Sequence, residues 1–94
     1  MAVKVVVPSV LRAEANGESN LSVDVGASST VGSVLDGLAA DYPKLERRLR
    51  DERGELRRYV NIFVDGEECR RIGGVEAPVG DRSEILIIPS VAGG

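Results

Sequence analysis

A chain of 94 residues has the size of one domain built around one core. Lys and Arg number 12 against 15 Asp and Glu, a formal charge of -3, and Tyr42, Tyr59 and Phe63 are the only aromatics; so few offer no platform for stacked bases, and nucleic acid is not an expected partner. No apolar stretch approaches the roughly 18 to 20 residues that span a bilayer, and Met1-Ala2-Val3-Lys4 lacks the features of a signal peptide, so a cytosolic location away from membranes is expected.

Val3-Lys4-Val5-Val6-Val7 is a β-branched run closed by Pro8 and reads as the first strand. Asn20 to Val25 alternates, with Leu21, Val23 and Val25 on one face, and makes a second strand. The polar link between them contains Asn16-Gly17 and predicts an antiparallel hairpin with a long loop. Ser28, Ser29 and Thr30 are helix-cap candidates before Val31, Val34, Leu35 and Leu38, whose spacing of three and four draws one helical stripe. Gly32 and Gly37 interrupt this main helix, and close packing against the sheet is the expected reason.

Pro43 opens a short second helix with Leu45 and Leu49 four apart, and Gly54 marks its expected end. Lys44 to Arg58 mixes six arginines with four acids and reads as a solvated surface, with docking to an acidic partner as the alternative. From Tyr59 the chain is extended again, with Val60, Ile62 and Val64 sharing one face and Tyr59, Asn61 and Phe63 the other. Asp65-Gly66 turns it, Glu68 to Ile72 returns as a short edge strand, Gly80-Asp81 turns it once more, and Ile85-Leu86-Ile87-Ile88 is the last strand. Cys69 falls within the edge strand as an ordinary strand residue.

This order predicts an α+β domain with a mixed four- to five-stranded sheet and one main helix on one face. One helical layer covers only one face, yet "ILII" does not alternate with polar residues. With Ile85 and Ile87 in the core, Leu86 and Ile88 point outward beside Phe63 and form an apolar patch of the kind that binds proteins.

Side-chain chemistry is scarce. Without histidine and with one cysteine, the chain has no Ser-His or Cys-His pair, no internal disulfide and no zinc site, so neither catalytic residues nor a metal are expected. Asp65, Glu67 and Glu68 surround a turn and do not follow the calcium-loop pattern.

The strand order, "PSVLR" (Pro8 to Arg12), the Thr30-initiated helix, "YVNIFVDGE" (Tyr59 to Glu67) and "VGDRSEILIIPSVAGG" (Val79 to Gly94) resemble the ubiquitin-like sulfur carriers of the MoaD/ThiS family, nearest the cysteine-biosynthesis type. The resemblance implies a ubiquitin-like β-grasp domain over residues 1–89 and a flexible Gly-Gly tail over 90–94. It also implies that Gly94 is adenylated and then carries sulfur as a thiocarboxylate. Val91, Ala92 and Gly93 would thread into the partner while Phe63, Leu86 and Ile88 dock on it. The implied partners are an E1-like adenylyltransferase/sulfurtransferase that consumes ATP, a pyridoxal-phosphate (PLP)-dependent cysteine synthase and a zinc metalloprotease; the carrier binds no cofactor itself and is a co-substrate rather than an enzyme. Molybdopterin, thiamine or a thio-metabolite as the sulfur's destination, conjugation to lysines as a modifier, and proteolytic exposure of Gly94 all stay open at this level.

Overall fold

The computed structural model describes residues 2–26 and 29–89. Strand β1 (Ala2–Val6) pairs antiparallel with β2 (Asn20–Asp24), Val3 facing Val23 and Val5 facing Leu21. Side chains alternate across a strand, so this register gathers all four valines and leucines on one buried face. The link between the strands is more ordered than a polar loop, because Ser9–Ala15 form a 3-10 helix that buries Leu11 and Ala15. β2 stops at Asp24, so Val25 packs part-buried against the core from beyond the strand.

β3 (Ser29–Thr30) leads directly into α1 (Val31–Asp41). Thr30 is the cap: Ser33 N–H donates to Thr30 Oγ1 at 3.2 Å and Thr30 N–H donates back to Ser33 Oγ at 3.4 Å, which occupies two otherwise orphaned groups. Ser29 instead pairs with Val79 of β6 (Pro78–Val79) in a two-stranded ladder; Ser28 lies outside the described residues. Val31, Val34, Leu35 and Leu38 are buried as the stripe predicts. A Cβ on Gly37 would stand 2.6 Å from Val23 Cγ1, so the glycine lets the helix approach β2.

α2 (Pro43–Leu49) starts on its proline and buries Leu45 and Leu49. It ends earlier than Gly54, because Arg50 is already extended and bridges to Leu56; Gly54 serves the next turn at φ 82°. Nor is the arginine-rich segment uniformly solvated. The Arg50 side chain is only 12% exposed and donates to Glu46 Oε2 at 2.7 Å and Asp36 Oδ1 at 2.8 Å, tying α2 to α1. Burial works against its charge, but those two carboxylates outweigh it and leave the guanidinium pKa raised.

β4 (Val60–Val64) turns at Asp65-Gly66, both at positive φ (49° and 90°), into β5 (Glu67–Glu68). The expected edge strand to Ile72 is therefore two residues long, and Cys69–Arg71 coil into a 3-10 turn that buries Cys69 off the sheet. Arg70 stands in for the missing strand, its Nη1 donating to Val60 O at 2.8 Å and its Nη2 to Arg57 O at 2.9 Å. β7 (Glu84–Pro89) lies at the centre of a five-stranded sheet of order β2-β1-β7-β4-β5, parallel to β1 and antiparallel to β4. Ile85 and Ile87 are fully buried on the face that α1 and α2 cover.

Candidate functional site

The uncovered face of the sheet follows from the same alternation. Register sets Phe63 opposite Leu86, Asn61 opposite Ile88, and Val6 beside Leu86 on the other flank. Leu86 is 37% and Ile88 41% exposed, whereas Phe63 and Val6 are half-buried. Val6 was hidden by the unbroken valine run; its parity with exposed Lys4 was the available signal.

Charged groups border this apolar row. Lys4 Nζ lies 3.5 Å from Glu84 Oε2 one row away, and Glu68 faces Phe63 across β4 and β5. Beyond Phe63 a cleft of about 490 Å³ opens between Asn61, Phe63, Gly66, Glu67, Glu68 and Arg71. An apolar centre with a polar border is the anatomy of a docking surface.

The last described residue, Pro89, sits opposite Val60. Asp65 N–H donates to Glu84 O at 2.9 Å, and stepping the alternation along from this bond makes Val60 and Pro89 a pair that exchanges none. Proline's missing donor faces the β1 side, where pairing has already ended at Val6 and Leu86, so Pro89 is accommodated at the end of a central strand. Gly94, Gly93, Ala92 and Val91 lie outside the described residues. Burial pushes the Cys69 thiol up, so it is not poised as a nucleophile. Among the described residues no group of three or more His, Cys, Asp or Glu could hold a metal ion, and no helix is long and apolar enough to cross a membrane.

A mixed sheet cradling one main helix, with its last strand at the centre and an apolar outer face beside it, defines a ubiquitin-like β-grasp protein. The chain belongs to the ThiS family, whose model matches residues 5–94, and is a sulfur carrier of that family. It is 36% identical to the sulfur carrier protein CysO of Mycobacterium tuberculosis over 96 aligned positions, covering all of both chains. It is 37% identical to small archaeal modifier protein 1 of Haloferax volcanii, over 87% of this chain and 90% of that one. Its fold matches a chain in the crystal structure of the Amycolatopsis orientalis BexX/CysO complex with a TM-score of 0.87 at 34% identity, over 98% and 99% of the two chains.

Proposed function

We propose that this carrier works through the carboxylate of Gly94. An E1-like adenylyltransferase/sulfurtransferase joins that carboxylate to the AMP portion of ATP and releases pyrophosphate. Sulfide then attacks the acyl-adenylate carbon and expels AMP, leaving a thiocarboxylate; where the sulfur comes from a persulfide, its attack gives an acyl disulfide, and a second thiol of the partner cleaves the S–S bond, forming a disulfide and releasing the thiocarboxylate. Activation is required because a bare carboxylate would have to expel oxide. The carrier is then a recycled co-substrate, and the reacting side chains belong to its partners.

The observation that carries this reading is the position of β7. The central strand runs out at Pro89 beside exposed Leu86 and Ile88, so an enzyme seated on that face has residues 90–94 within reach. Extended, those five residues would span about 17 Å, enough to enter a buried site. In this reading Phe63, Leu86 and Ile88 dock, while Val91, Ala92 and Gly93 thread. The BexX/CysO complex supports partner docking by a CysO-type body. Full-length identity to CysO favours cysteine biosynthesis as the destination, with a PLP-dependent cysteine synthase accepting the sulfur and a zinc metalloprotease releasing the new cysteine.

A second reading is favoured by the likeness to small archaeal modifier protein 1: the same adenylate ends as an isopeptide bond to a lysine. Intact-mass spectrometry of protein recovered from cells distinguishes them. The carrier reading expects exchange of one oxygen for sulfur, abolished by deleting Gly93 and Gly94 while the circular dichroism spectrum is unchanged. Lysine conjugates without the thiocarboxylate would establish the modifier, and sulfur loading that survives the truncation would overturn the Gly94 mechanism.

A further inference from the structure

The arginines left unused by sulfur transfer have an order in space. β7 runs with β1 and against β4, so Pro89 emerges at the end of the sheet where β4 begins and β1 finishes, while β5 heads towards that end but stops opposite Phe63. Arg57 and Arg58 immediately precede β4 there, and Arg70 and Arg71 follow β5. Arg70 donates to Val60 O, Arg57 O and Asn61 Oδ1 (3.2 Å) and lies 3.5 Å from Glu68, so its guanidinium is held on the outer face. Arg71 lines the cleft that runs from Asn61 and Phe63 to Gly66, Glu67 and Glu68. Exposed Arg58 and Arg71 make no side-chain hydrogen bond or ion pair with any described residue.

The opposite end of the sheet has the other sign. Asp24, Asp65, Asp81 and Glu84 are exposed there, with Lys4 and Arg82 as the cations. On the side where β7 ends, Glu68 is paired with Arg70, and Asp51, in the loop leading to Arg57, accepts N–H bonds from Arg53 and Glu55 and lies 3.7 Å from the Arg53 guanidinium. A chain of net charge -3 thus holds Arg58 and Arg71, without a bonded partner among the described residues, on the side where β7 ends. Tyr59, 50% exposed, stands beside Arg58, and an aromatic next to arginine is a composition enriched at binding surfaces.

We propose that the enzyme receiving the tail carries carboxylates along the β4 flank of its entrance, opposite Arg58, Arg70 and Arg71. This rests on the reading of Gly94 as the chemical handle. The acidic rim attracts the arginine end and repels the acidic end, so the carrier arrives tail-first before its apolar face seats. Charges at such a rim act over about 8 Å at physiological ionic strength, so the effect resides in encounter and its salt dependence.

The test uses the adenylating enzyme that charges this carrier, followed by Gly94-dependent ATP–pyrophosphate exchange. Combining Arg58→Glu with Arg71→Glu should raise the KM for carrier about tenfold at low salt, leave kcat within about twofold and flatten the salt dependence. The double Ala variant should shift KM less in the same direction, and Asp81→Lys at the far end should not raise it. Equal KM values and salt slopes for the native chain and the double reversal would overturn the acidic rim while leaving Gly94 chemistry intact. Absence of any exchange with the native chain would overturn the adenylation reading, and this proposal with it.

Discussion

Placing one carboxylate on either side of β7 tests the division between core and docking face. Ile87→Asp and Ile88→Asp differ by one position, but Ile87 is fully buried and Ile88 is 41% exposed. Full burial of an isoleucine contributes about 1.5–3 kcal/mol, so the part that Ile88 already buries is worth about 1–2 kcal/mol, and its replacement should leave a folded protein. The exposed remainder offers about 1 kcal/mol to docking, and stranding a carboxylate against an apolar partner adds about 1–3 kcal/mol. Together these predict docking weakened by roughly thirty- to several-hundred-fold. Ile87→Asp, by contrast, buries an unpaired charge and should lose about 5 kcal/mol or more, comparable with the roughly 5–14 kcal/mol total stability of a domain this size. Urea unfolding measures the first quantity, and titration with the adenylating enzyme the second. Unfolding of Ile88→Asp to the same degree as Ile87→Asp would refute the face assignment; native binding by a folded Ile88→Asp would refute the docking role.

Two further outcomes concern stability. Gly37→Ala should gain about 1 kcal/mol in helix propensity but force Val23 Cγ1 away from a 2.6 Å contact at a cost of about 1–3 kcal/mol, giving a net loss of about 1 kcal/mol; a raised thermal midpoint would contradict it. Asp51 accepts backbone N–H bonds from Glu55 at 3.1 Å and Arg53 at 2.9 Å, which hold its carboxyl below the ordinary 3.8. A lowered folded pKa means that its contribution is complete above about pH 3.8 and is lost as pH falls through the folded value, so the stability difference between the native chain and Asp51→Asn should shrink in that acid range. An NMR titration midpoint at or above 3.8 would refute the assignment.

Features set by local physics were legible in the sequence. The Thr30 cap, the stripe from Val31 to Leu38, the Asp65-Gly66 turn and the inward parity of Ile85 and Ile87 each depend on residues within one turn or one strand, and each appears in the fold. So does the outward pointing of Leu86 and Ile88, because one apolar strand beneath one helical layer leaves a face uncovered. What escaped depends on partners distant in the chain. β5 stops at Glu68 and the Arg70 guanidinium donates to the Val60 carbonyl instead, and Arg50 donates to Asp36, 14 positions away. Nothing in the pattern of glutamates and arginines singles out those two guanidiniums from their neighbours. The meeting of the arginines before β4 with those after β5 was hidden for the same reason: it emerges only once Arg70 reaches the carbonyls of Arg57 and Val60.

That placement of β7 also has a mechanical consequence. A pull along the strand from Pro89 loads its ladders with β1 and β4 in shear, many hydrogen bonds at once, rather than peeling an edge strand bond by bond. Force applied beyond Pro89 therefore meets a central strand that is paired on both sides.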